Sequence, residues 1–122
     1  MPATYRYDSN LVILELAGDY SMDDIRAAIR GSLADQSCPE KPRLLIDLTS
    51  SEVLRKRTSE DVKTIAEFVA SLAERFDNRV AMVAPKDYQY GLMRMGSAGA
   101  ESRGVSSRVF RAFDDARKWL LG

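Results

Sequence analysis

Asp47, Thr49, Ser50, Lys86, Asp87, Tyr90 and Arg94 are the residues whose types and placing could do chemistry together. Asp47 stands near the end of the apolar run RLLIDL (43–48), and Thr49 and Ser50 follow it directly. The other four come just after the run RVAMVA (79–84). If both runs are parallel strands, the two groups gather beyond the carboxyl end of a sheet, where open parallel sheets bind ligands. Cationic Lys86 and Arg94 could take an anionic or polar group there. Tyr90 offers broad amphipathic contact to a ligand or a protein. Each residue also has a plain role. Asp47 can serve as an acceptor that fixes its own loop, and Asp87 can cap a helix.

Other chemistry is excluded by composition. The chain of 122 residues has no histidine and one cysteine, Cys38. That removes Ser-His-Asp and Cys-His nucleophile systems, His-ligated zinc and Cys-rich metal sites. No metal or cofactor is expected. An enzyme would have to work with carboxylates, Lys, Tyr or Ser alone, and a reading that uses Asp47, Lys86 and Tyr90 has no base–nucleophile pairing that the sequence names. Lys plus Arg and Asp plus Glu each number 18, so no global field draws the chain to nucleic acid or an anionic membrane. The apolar runs are too short to span a bilayer. The start MPATYRYDSN has no basic segment followed by an apolar run, so no signal peptide is read and the cytoplasm is the expected location.

A second candidate lies at Thr58 and Ser59, beside Arg55, Lys56 and Arg57. A helix start with basic neighbours could hold an anion, and either hydroxyl could accept a phosphoryl group. The plain alternative is an N-cap. Gly91 and Gly96 have the spacing of a phosphate-binding loop, but Ser97 stands where that loop needs Lys.

The elements that must position these residues follow from the patterning. TYRYDSNLVILELAG reads as a hairpin, with Tyr5 and Tyr7 on one face and Val12, Leu14 and Leu16 alternating on the return strand. Ser21 caps a helix carrying Ile25, Ala28, Ile29 and Leu33. RLLIDL fits a central strand buried on both faces. Val62, Ile65, Val69, Leu72 and Phe76 form the stripe of one helix. A helix from about Tyr88 follows the strand RVAMVA, with Gly96 and Gly99 weakening it into an expected mobile element. SRVF (107–110) is a further strand, and Phe113, Ala116, Trp119 and Leu120 mark a terminal helix. One α/β domain over residues 1–122 results, in the order β-β-α-β-α-β-α-β-α. Its sheet is mainly parallel with the first strand antiparallel.

This order, with LLIDL, RVAMVAPKDYQYGLMRM and RVFRAFDDARKWL, resembles the SpoIIAA-like family, also described as STAS/Sec14-like bacterial proteins. The resemblance implies β-α units wound in one direction after an extra first strand. It implies no settled activity. Anti-anti-sigma relatives bind a protein partner and are switched by phosphorylation of a serine in an Asp-Ser pair followed by Gly. Here the matching region reads SSEVLRKRTSED, with no Asp before Thr58–Ser59 and no Gly after. The Sec14-like label implies instead a pocket for an apolar ligand. The leading expectation is a non-catalytic regulatory or binding module acting on a protein partner or small ligand at the carboxyl end of the sheet. The alternative is a carrier or sensor of an apolar, lipid-like ligand, in a cavity lined by Tyr90, Leu92 and Met95. Homodimerisation through the first hairpin or last helix stays open.

Overall fold

The computed structural model describes residues 2–52 and 56–122. The chain runs β1 (Ala3–Asp8), β2 (Leu11–Leu16), α1 (Met22–Ala34), β3 (Arg43–Asp47), α2 (Ser59–Ser71), β4 (Arg79–Val83), α3 (Asp87–Glu101), β5 (Ser106–Phe110) and α4 (Phe113–Leu121). This is the order expected from the sequence. The five strands lie in the order β1-β2-β3-β4-β5. β1 is antiparallel to β2, and the remaining pairs are parallel.

The strand order never reverses. Right-handed crossovers that all step the same way place their helices on the same face. α1, α2 and α3 therefore share one face, packed on Val12, Leu14, Leu44, Ile46, Val80 and Met82. The alternate residues Leu11, Ile13, Leu45, Ala81 and Val83 face the other way, against Ala116 and Leu120 of α4. Every apolar residue of β3 is buried, as its unbroken apolar run requires.

Local chemistry sets the helix starts. Ser21 accepts the Asp24 N–H at 3.0 Å while the Asp24 carboxylate takes the Ser21 N–H at 2.9 Å. Thr58 and Asp61 repeat this reciprocal box at the start of α2, at 3.1 Å both ways. One boundary differs from the sequence reading. The stripe ending in Phe76 is not one helix: α2 stops at Ser71, and a 3₁₀ turn (Ala73–Phe76) carries the fully buried Phe76. The left-handed Asp77 and Asn78 (φ 54° and 53°) end that turn and send the chain into β4. Tyr5 and Tyr7, side by side on β1, reach the far end of α1 by hydrogen bonds to Asp35 (2.9 Å) and the Ser32 carbonyl (2.7 Å).

α2 and α4 are held differently. α2 packs chiefly on α3 and stands off from the strands beneath it. Gly96 allows this contact, since a Cβ there would lie 3.0 Å from Val62. The glycines read as a weakness of α3 thus form its seam with α2. α4 is tied to the strands directly. Arg79 donates to the Trp119 carbonyl at 2.7 Å and lies over the Trp119 ring, Arg43 donates to the Leu120 carbonyl, and Arg117 pairs with Asp8 at 2.8 Å.

Candidate functional site

Two faces of α3 and one gap under α2 build the candidate site. Gln89, Met93, Gly96 and Ala100 recur at helical spacing and turn toward the sheet and α2. Tyr90, Arg94, Ser97 and Glu101 form the adjacent face, along a surface groove beside β5. The sequence reading gathers Lys86, Asp87, Tyr90 and Arg94 at one sheet end, and of these Tyr90 and Arg94 lie on the groove face. A rotation of one residue on the helix separates the two faces.

The carboxyl end of the sheet is closed at its centre. Gln89 is fully buried there. Its side-chain amide donates to the Leu48 carbonyl at 3.2 Å, and its oxygen accepts the Lys86 N–H at 3.1 Å. Gln89 thus caps α3 and plugs the space beyond β3 and β4 in one step. Ligand crevices in open α/β sheets form where the strand order reverses, and this sheet has no such reversal.

The expected site residues are distributed accordingly. Asp47 accepts hydrogen bonds from the Thr49 N–H (3.0 Å) and hydroxyl (2.6 Å), closing a local turn after β3. No hydrogen bond or ion pair among the described residues joins it to Lys86, Asp87 or Tyr90. The Ser50 carbonyl takes the Gly18 N–H at 2.9 Å. Lys86 is exposed and precedes α3. Asp87 is not the cap: it is the first helical residue, its carboxylate pairs with Arg111 at 2.6 Å, and Gln89 supplies the capping bond. Tyr90 lies between cations, 4.4 Å under the Arg111 guanidinium and 6.0 Å from that of Arg94.

At the start of α2, the Thr58 hydroxyl is engaged in its capping box and Ser59 is exposed. Lys56 approaches Asp19 at 3.9 Å, and Arg57 lies over the Tyr20 ring and donates to the Tyr20 carbonyl. Arg55, the remaining residue of that basic triplet, lies outside the described residues.

The feature that sequence reasoning did not locate is a cavity of about 80 Å³ between α2, α3 and the sheet. Its walls are almost entirely carbon, with Ile46, Val69, Val80, Met82, Met93 and Ala100 among them. Tyr90, Leu92 and Met95 do not line it. Tyr90 faces the groove, and Met95 is 50% exposed on the outer side of α3. Half-exposed Met22, Arg57 and Asp61 stand at the end where α1 and α2 begin. The polar groups at that mouth all have partners: the Tyr20 hydroxyl with Ser51 at 2.8 Å, Arg57 with Tyr20, and Asp61 with Thr58. Burial pushes the Tyr20 phenol above its ordinary range, against the opposing effects of the Ser51 hydrogen bond and Arg57.

Ser107 differs from these groups. It lies on the inner face of β5, 4% exposed, paired in register with Val80, and lines the cavity. Its hydroxyl is buried with no hydrogen-bond partner among the described residues. Such a group costs about 1–3 kcal/mol. Against a total stability of roughly 5–15 kcal/mol, that is a large term at one place. The carbon walls beside Ser107 forgo the contacts that a filled core would make.

Among known proteins, no family model matches the chain and no curated protein matches its sequence. A solved structure does match: an uncharacterized protein from the DUF3478 family with a SpoIIAA-like fold, from Shewanella loihica PV-4. The two share 18% identity over 97% of this chain and 91% of that one, with a TM-score of 0.59. The fold is therefore SpoIIAA-like, as the sequence resemblance implied. No helix among the described residues is long and apolar enough to cross a membrane.

Proposed function

We propose that the chain is a non-catalytic binding module that holds a small apolar molecule in the cavity under α2. The carrying observation is the pairing of a carbon-lined cavity with the one buried side-chain hydroxyl that lacks a partner among the described residues. Apolar cavities stay dry and take apolar guests. A bound molecule would recover the contacts that the empty walls forgo. Ser107 has no base bonded to it, so the arrangement favours holding over nucleophilic chemistry.

This reading favours the apolar-ligand alternative and moves its site. Gln89 fills the crevice where a ligand at the carboxyl end of the sheet would sit, while the cavity mouth opens at that same end beside α2. In a regulatory module the ligand would act through α2, the helix that covers it and is anchored to α3 rather than to the strands.

Thermal melting in buffer saturated with n-pentane tests the proposal. A ligand that binds only the folded state raises the midpoint. The wild-type midpoint should rise, and that of Ala100→Leu, whose added side chain occupies the void, should not. No rise in the wild type, or equal rises in both, would remove the cavity as the site.

A further inference from the structure

The cavity is not uniform, and its one unsatisfied polar atom carries information about the guest. Ser107 sits beside Val80, away from the mouth residues Met22, Arg57 and Asp61, and also borders the groove between α3 and β5. The mouth polar groups are satisfied within the protein, so among the described residues the open hydrogen-bonding demand lies at the inner end. Water meets that demand poorly. A buried water needs two to four polar partners, and Ser107 is the one unpaired polar side-chain atom buried there among the described residues. A charged group is also unsuited, because no opposite charge lines the inner end and an unpaired buried charge is costly.

From this the structure assigns the chemistry of the guest: an uncharged, slender apolar molecule ending in a single hydroxyl or carbonyl oxygen, bound with that oxygen against Ser107. A serine hydroxyl both donates and accepts, so an alcohol and a ketone or aldehyde satisfy it equally. The apolar body lies along Met82, Val69 and Met93 toward the mouth. The volume of about 80 Å³ limits the enclosed part to a few heavy atoms. A longer tail extends between the starts of α1 and α2. A carboxylate-terminated chain is excluded in this orientation, because its charge would meet the carbon-lined end.

This assignment rests on the cavity being a binding site, and the experiment separates the two. Wild type and Ser107→Ala are titrated by NMR with n-pentane and with 1-butanol, a pair matched in heavy-atom count. In the wild type, 1-butanol shifts the Ser107 amide. Ser107→Ala removes a group that has no protein partner, so the fold is retained. The substitution should weaken 1-butanol about fivefold, the size of one net hydrogen bond, and leave n-pentane unchanged or tighter. If both probes bind and Ser107→Ala leaves their ratio unaltered, the assignment of Ser107 is wrong while the cavity stands. If neither probe binds the wild type, both fail.

Discussion

On one face of the sheet a single helix, α4, covers Leu11, Ile13, Leu45, Ala81 and Val83 so closely that all are at most 1% exposed. On the other face three helices cover the sheet and still leave a void. The difference lies in what each helix is tied to. Arg43, Arg79 and Asp8 reach from the strands and their ends to α4. Among the described residues, the side-chain ties of α2 run to its neighbouring helices: Glu67 with Arg103 just past α3, at 3.1 Å, and Phe68 under the Arg30 guanidinium of α1, at 5.1 Å. A helix bonded to strands is drawn down onto them. A helix seated on another helix, with Gly96 and Val62 setting the approach, bridges the space below. The α4 face is built for stability, and the α2 face is built around room.

The largest expected effect breaks the α4 side. Leu120→Ala, at a fully buried position, should lower the unfolding free energy in urea by about 2–5 kcal/mol. A loss below about 1 kcal/mol would mean that this face is not closely packed. The contrast sharpens with one substitution made on both sides. Ala116→Leu has no space to enter and should cost about 1–3 kcal/mol, whereas Ala100→Leu fills a void and should cost less than about 1 kcal/mol. Equal costs would erase the distinction between the faces.

A smaller effect has the opposite sign from the usual core truncation. Ser107→Ala removes an orphaned hydroxyl and should raise stability by about 1 kcal/mol. A fall of that size would mean that the hydroxyl has a partner. The smallest effect is a control on the surface of α3. At Gly91 an added Cβ meets nothing within 4 Å, so Gly91→Ala should stabilise by about 0.4–1 kcal/mol. Destabilisation there would contradict a regular helix at Gly91.

What the sequence made legible was local. Ser21 and Thr58 read as caps because the capping bond spans three residues of one chain segment. Leu44, Leu45 and Ile46 read as a central strand because burial on both faces demands an unbroken apolar run. Phe76 escaped, since a helical stripe continues to match after the backbone has tightened into a 3₁₀ turn. Gln89 does carry a local signal, since Gln three residues after a helix start is half of a capping box. Its second bond, to Leu48, crosses the sheet end and has no sequence signature. The pairing of Asp87 with Arg111 is hidden for the same reason. The place of the cavity could not be read. A void is set by the separation of α2 from the strands, and that separation depends on which small residues meet in the α2–α3 seam. Ser107 looked like an ordinary strand serine until its neighbours were known.

The central claim is that an apolar guest site lies beneath α2, and xenon tests it most directly. Crystals of the wild-type chain held under xenon pressure should show a xenon atom among Met82, Val80, Met93 and Ser107, and the same crystals of Ala100→Leu should show none there. Wild-type density without xenon at that place, with α2 collapsed onto the strands, would contradict the account.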